Sequence, residues 1–169
     1  MTISMHSASV PIFARQLTAM VSWLDKAQAN AEARKFDPAN FLGQRLTVDM
    51  LTLAVQIRIA GDTAKGCAAR LAGVDIPKYE DNETSLDDFR ARIRKTIDFI
   101  NSVPAESISG SEDKVITLPR PSGDPRVFAG EVYLKHFALP NFFFHCTMAY
   151  ALLRQSGVDV GKMDFLGAA

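Results

Sequence analysis

Asn141 and His145 stand four residues apart in the run Asn141-Phe142-Phe143-Phe144-His145, a spacing that puts both side chains on one face of a helix. An imidazole titrates near neutral pH and ligates transition metals, and a carboxamide both donates and accepts hydrogen bonds. Set among aromatic carbon, the pair is suited to hold a substrate, a proton or a metal. Successive side chains on a helix diverge by about 100°, which sets His145 about 20° to one side of Leu134 and Asn141 about 20° to the other. Both are therefore expected to look inward, barring a large kink at Pro140. His6, seven residues before Phe13, shares the core-facing direction once the first helix is extended back by a turn or two. Asp49 and Gln56 fall at the edge of the second apolar stripe, where either can approach from the neighbouring helix.

Two readings of these residues stay open. In the first, a pocket near His145, Asn141 and Asp49 binds a small molecule or retains catalysis. His145 is then the base or the firmly placed ligand, and Asp49 its orienter or co-ligand. Asn141, Gln56 and His6 complete the ligand contacts. A divalent transition metal such as Zn, Ni, Mn or Fe is the cofactor such donors would take, with His145, His6 and Asp49 as its candidate ligands. In the second reading, His145 and Asn141 form a satisfied polar pair, capped by Asp49, Gln56 or water, that fixes helix register in a non-catalytic dimeric structural or interaction protein. His136 projects away from the apolar stripe and is expected in solvent. Cys146 follows His145 directly and diverges from it by about 100°, so a metal shared by the two is not expected. The chain has no Ser-His-acid grouping, phosphate-cradling Gly loop, CxxC or HExxH motif.

Four amphipathic stretches must position this pair. Phe13, Leu17, Met20 and Leu24 mark a helix over about residues 7–29, with Ser7 or Ser9 as cap and Pro11 in the first turn. Residues 30–40 read as a connection. Leu46, Met50, Leu53, Ile57, Ala60, Ala64, Cys67 and Leu71 step by 3 or 4 through a second helix that Gly73 ends. Arg58, Asp62 and Lys65 fall away from its stripe. After a loop from Asp75 to Glu83, Thr84 or Ser85 with Asp87 and Asp88 opens a third helix, carried by Leu86, Phe89, Ile93, Ile97 and Ile100 to about Asn101.

From Pro104 to Val127 the composition turns to Ser, Gly, Asp and Pro. Val115–Leu118 and Arg126–Phe128 read as a small hairpin. A crossover this long inside a helical domain raises the question of what it covers, one end of the bundle being the natural candidate. The fourth helix spans about Gly130–Gln155, with Leu134, Ala138, Asn141, His145, Met148 and Leu152 on one face. Pro140 is expected to kink or split it, since it cannot donate to the carbonyl of His136. Phe142, Phe143 and Phe144 face several directions and serve both the core and a second surface, which a homodimer contact would use. The tail from Val158 to Ala169 is expected to fold Phe165 and Leu166 back onto the surface. The fold class is accordingly all-α, a four-helix bundle with a hairpin inserted before the last helix.

At 169 residues the chain has the length of one ordinary domain, 1–169. Lysine plus arginine and aspartate plus glutamate are 19 each, with neither sign gathered in a block, so neither nucleic acid nor an anionic membrane is an expected partner. Cys67 and Cys146 lie on helical segments among small and apolar residues and read as reduced core thiols. The start, MTISMHSASVPIF, lacks the layout of a leader, and no stretch reaches the ~20 apolar residues a membrane span needs. A soluble, cytoplasmic protein is expected.

The segments Leu46-Thr47-Val48-Asp49-Met50, Arg70-Leu71-Ala72-Gly73, Leu139-Pro140-Asn141-Phe142-Phe143-Phe144-His145, Ala149-Tyr150 and Leu153-Arg154-Gln155-Ser156-Gly157-Val158 resemble those of an uncharacterised bacterial family of about this length. The resemblance runs over nearly the whole chain. That family is a distant relative of the DinB/YfiT-like four-helix bundles, so the resemblance implies the bundle fold. It also implies a frequent dimer and kinship with metal-dependent enzymes, thiol transferases among them. Those relatives hold their metal with one histidine from the second helix and an HxxxH pair on a later one, commonly just after an Asn. Matching Asn141 to that Asn puts the two later ligand positions on Phe142 and Cys146, with His145 beside the second. Matching His145 to the second ligand puts the first on Asn141. No histidine occurs between residues 7 and 135, so the second-helix ligand is missing in either register.

Overall fold

The computed structural model describes residues 3–120 and 122–167. In chain order its elements are α1 (Val10–Arg34), a 3-10 turn at Pro38–Phe41, α2 (Leu53–Ala72), α3 (Leu86–Ser102), α4 (Ala105–Ile108), β1 (Val115–Leu118), β2 (Arg126–Ala129), α5 (Gly130–Tyr133), a π turn at Leu134–Ala138, α6 (Leu139–Gln155) and α7 (Lys162–Leu166). Around the bundle the order is α1, α3, α2, α6: α2 packs on α3 and α6, and α1 does the same from the opposite corner. The protein is thus an all-α four-helix bundle with a short two-stranded insertion.

Each long helix buries the stripe its periodicity marks. Phe13, Leu17, Met20 and Leu24 of α1 are fully enclosed, as are Ile57, Ala60, Ala64, Cys67 and Leu71 of α2 and Phe89, Ile93 and Ile100 of α3. The alanines of α2 let α6 approach closely, and Phe142 fills the space between them and α1 with its edge on Phe13 at 4.8 Å. α3 opens on a reciprocal capping box in which Ser85 Oγ accepts from the Asp88 N–H and Asp88 accepts from Ser85. α1 runs five residues beyond the expected end and stops at Lys35, which adopts a left-handed conformation (φ 59°). At its start the serines do not cap: Ser9 Oγ donates back to the Met5 carbonyl at 2.6 Å instead.

α2 begins later than its periodicity predicts. Residues 43–52 are irregular, Leu46 is half exposed and Val48 is 89% exposed. The segment folds over the helix end, where the carbonyls of Gln44 and Leu42 accept from the N–H groups of Leu53 and Ala54. Those contacts satisfy donors that a longer helix would have satisfied internally.

The last helix has the predicted extent, and Pro140 is absorbed within it. The turn preceding Pro140 widens to π, with the Leu139 N–H reaching back five residues to Leu134. That widening makes room for the proline ring, and the missing N–H falls at a place already irregular. The hairpin pairs Val115 with Ala129 and Leu118 with Arg126. It turns into α5 at Gly130, where a Cβ would lie 2.0 Å from the Ser111 carbonyl oxygen, so only glycine fits that approach. The tail folds back through Phe165, stacked on Trp23 at 5.6 Å, and through Trp23 Nε1, which donates to the Asp164 carbonyl. Leu166 remains half exposed, and residues 168 and 169 of the predicted tail lie outside the described residues.

Candidate functional site

The i, i+4 pair on α6 faces α2, as its spacing predicts. Asn141 Nδ2 donates to Thr63 Oγ1 at 2.8 Å, and His145 Nδ1 meets Gln56 Oε1 at 2.6 Å. Residues later on α6 meet residues earlier on α2, so the two helices run antiparallel. The Gln56 amide nitrogen donates to the Leu51 carbonyl at 3.2 Å, which turns its oxygen toward the histidine. An oxygen there can only accept, so Nδ1 carries the ring proton and Nε2 is left bare. His145 is 7% exposed, and burial pushes its pKa below the ordinary 6.5, leaving a neutral ring at pH 7.

The other residues expected at this point lie elsewhere. Asp49 sits in the irregular segment before α2 and is exposed, its carboxylate meeting no hydrogen-bond donor among the described residues. The orienter of His145 is Gln56, because α2 starts at Leu53 and the register that would have aimed Asp49 inward is not helical. His6 is half-buried in the turn preceding α1, where its carbonyl accepts from Ser9 and Val10 while its ring bonds to no described residue. His136 is exposed, as expected. Cys67 and Cys146 are free, buried thiols, and burial pushes Cys67 up to about 12.

These donors do not fit the metal centre that the bundle's relatives imply. His145 offers one nitrogen, its other being engaged by a carboxamide. Phe142 and Cys146, which one alignment register makes ligand positions, are core residues with 0% exposure. Among the described residues no three of His, Cys, Asp and Glu gather closely enough to hold an ion.

Thr63, the partner of Asn141, also lines a cleft of about 430 Å3. α2 contributes Asp62, Thr63 and Arg70; the last helix contributes Tyr133 and Phe137; the hairpin borders it with Leu118, Pro119, Arg120 and Arg126. This is what the long crossover covers. Arg70 lies back along its own helix, and a Cβ at Gly66 would come within 2.5 Å of its Nη1. Gly66 therefore leaves the space in which the guanidinium rests, and from there Nη1 donates to Tyr133 Oη at 3.2 Å. The Tyr133 ring is 1% exposed, and burial pushes its hydroxyl up to about 12, so it keeps its proton. Arg126 lies over the Phe137 ring at 5.8 Å.

A second polar region joins α2 to α3. Arg92 donates to Glu83 at 2.6 Å, lies 3.1 Å from both Asp62 and Asp81, and donates to the Glu80 carbonyl. Arg58 donates to the other Glu83 oxygen at 2.7 Å, and Lys65 pairs with Asp62 at 2.8 Å. Desolvation works upward on the Glu83 carboxyl, but hydrogen bonds from Arg92 and Arg58 outweigh it and hold it below its ordinary range. Lys65 and Lys95 also rest on the Tyr79 ring at 3.8 and 4.3 Å. A hollow of about 710 Å3 beside Tyr79 is lined by Glu80, Glu83 and Asp88 as well as Lys78, Arg92 and Lys95. Its charges compensate one another.

Sequence reasoning missed Thr63, Arg70, Arg120, Arg126 and Tyr133. The available signals were small: a glycine one turn before Arg70, and two arginines flanking the turn-rich stretch of the hairpin.

Three comparisons with known proteins bear on the assembled picture. A family described as a domain of unknown function, DUF1993, matches residues 5–166. The crystal structure of a DinB family member protein from Shewanella denitrificans is similar over 97% of this chain and 92% of that one, with 35% identity and a TM-score of 0.87. No curated protein matches the chain. The fold, the inserted hairpin and the relation to DinB-like bundles agree, and the family match covers nearly every described residue: the chain belongs to the DUF1993 family.

Proposed function

We propose that this bundle binds a small molecule in the cleft between the hairpin and the α2/α6 pair. The observation that carries the reading is the convergence of Thr63, Arg70 and Tyr133 on one open cleft of about 430 Å3 bordered by the hairpin. Leu118, Pro119 and Phe137 add apolar wall, and Asp62, Arg120 and Arg126 complete the lining. A pocket of that size with apolar walls and a few polar groups is the usual form of a small-ligand site. Asn141 supports the reading from behind by holding Thr63. His145 does not line this cleft, and its bond to Gln56 supports a role in setting the α2/α6 register.

Protein-observed NMR with a small-fragment library tests the reading. Binders should perturb the aromatic resonances of Tyr133 and Phe137 and the methyl groups of Leu118. Perturbations confined to other surfaces would reject it.

A second reading, assembly as a homodimer, is favoured by the outer face of α6. Phe144 is 53% exposed there, with exposed Pro140 one turn before it. A dimer in sedimentation velocity that dissociates on Phe144→Glu is the expected result; a monomeric wild type would end this reading.

A further inference from the structure

The cleft is rich in hydrogen-bond donors and poor in acceptors. Arg70, Arg120 and Arg126 all line it, and among the described residues none of the three has a carboxylate within ion-pair distance. The one carboxylate in the lining, Asp62, already receives Lys65 and Arg92 through Oδ1. Tyr133 accepts from Arg70 and donates to no described residue, and Thr63 accepts from Asn141 on the same terms. Two hydroxyl protons and three guanidinium groups therefore face one cavity against a single carboxylate, Asp62, whose Oδ1 is taken by Lys65 and Arg92. Arg120 and Arg126 are exposed and Arg70 is half-buried, so water serves them in the free protein. What points to a ligand is three arginines lining one concavity, arginine being the side chain whose planar fork matches a carboxylate or phosphate.

Resting on the reading of the cleft as a ligand site, we infer that its ligand carries an oxyanion, a carboxylate or phosphate on an apolar body. Arg70 and the Tyr133 O–H hold the anion at the inner end, and Arg126 and Arg120 flank it from the hairpin. The apolar body lies along Phe137 and Leu118. Gly66 is a positioning residue, since any side chain at that place displaces the Arg70 guanidinium from its seat.

Four probes of similar shape separate the possibilities: benzoate, phenyl phosphate, benzamide and benzylamine, each titrated into the full chain by NMR. Benzoate or phenyl phosphate should bind at Tyr133 and Phe137, at least ~10-fold more tightly than benzamide, and weaken as salt is raised. Whichever of the two anions binds better identifies the group preferred. Arg70→Met should remove that ~10-fold preference while leaving benzamide unchanged. Gly66→Ala should reduce the preference in the same direction in a protein that remains folded, because the atom displaced is the far end of a flexible side chain. Arg126→Gln should reduce it less. Equal binding of benzamide and the anions in the cleft would overturn the oxyanion inference and leave the ligand site standing. Binding of none of the four there at millimolar concentration would overturn both. Anion binding unaltered by Arg70→Met, Gly66→Ala and Arg126→Gln would show a nonspecific charge effect and reject the assigned residues.

Discussion

α2 carries arginines on two of its sides, and they meet opposite circumstances. Toward α3, Arg58 and Lys65 join Arg92 in a set of three cations facing three anions, Asp62, Asp81 and Glu83, at distances from 2.6 to 3.9 Å. Toward the hairpin, Arg70, Arg120 and Arg126 surround a cavity whose one carboxylate is already engaged on the α3 side. In the first arrangement every cation meets at least one carboxylate within the chain, although the Arg92 Nε is buried without a partner among the described residues. The second is open, and an arginine that the fold leaves unanswered is available to a ligand. The contrast separates charges that hold residues 80–83 against α2 and α3 from charges that meet no carboxylate among the described residues.

The largest effect this contrast predicts is a loss of stability on the α3 side, and its absence would break the contrast. Arg92 is 6% exposed, and its removal leaves Glu83 to Arg58 alone and Asp62 to Lys65. Arg92→Met is expected to cost about 2–3 kcal/mol in urea unfolding, below the roughly 3–5 kcal/mol of a fully buried broken pair because Asp62 and Asp81 are partly solvated. A change below about 0.5 kcal/mol would place Arg92 with ordinary surface charges and dissolve the distinction.

The pair between α2 and α6 gives an intermediate test with a definite sign. His145 is held neutral and its folded pKa lies below 6.5, so below that pH the unfolded chain binds the proton first. Its stability contribution is therefore complete above pH 6.5 and is lost as pH falls through the lowered folded value. Wild type should lose urea stability over this window relative to His145→Gln. Parallel curves for the two proteins would mean that the ring is not held neutral by its surroundings.

Much of the architecture could be read from period alone. The stripes of α1 and α3 bury as their spacing requires, and the Ser85–Asp88 cap and the Val115–Leu118 hairpin follow from local chemistry. Leu46 and Met50 continued the α2 period by coincidence, because a loop that returns its own carbonyls to Leu53 and Ala54 leaves no mark in the pattern. At the site, the i, i+4 rule fixed the direction of Asn141 and His145. Gln56 was among their expected partners, whereas Asp49 lost its place when its segment proved irregular. The arginines were illegible for a different reason. Arg58 and Arg70 lie on the same helix with the same side chain, and what separates them is the presence of Glu83, 25 residues from the first, and its absence near the second. Pairing across such separations is a property of the folded surface, which local sequence does not encode.

The smallest expected change in stability sharpens the contrast most. Arg70 is only partly buried, and its single bond to described residues is to a tyrosine hydroxyl. Arg70→Met keeps most of the side chain's apolar stem and removes one of three like charges around the cleft, so lost hydrogen bonding and relieved repulsion oppose each other. The net effect should stay within about 0.5 kcal/mol of zero. Gly66→Ala should go further and stabilise by up to about 1 kcal/mol, the helix-propensity difference, if the guanidinium can move aside. A residue that improves stability when the geometry behind it is disturbed is not serving the fold. Thermal or urea unfolding of the two variants without ligand measures this directly. A loss of about 2 kcal/mol or more in Arg70→Met would make Arg70 as structural as the arginines on the α3 side and leave only the exposed Arg120 and Arg126 to offer a ligand.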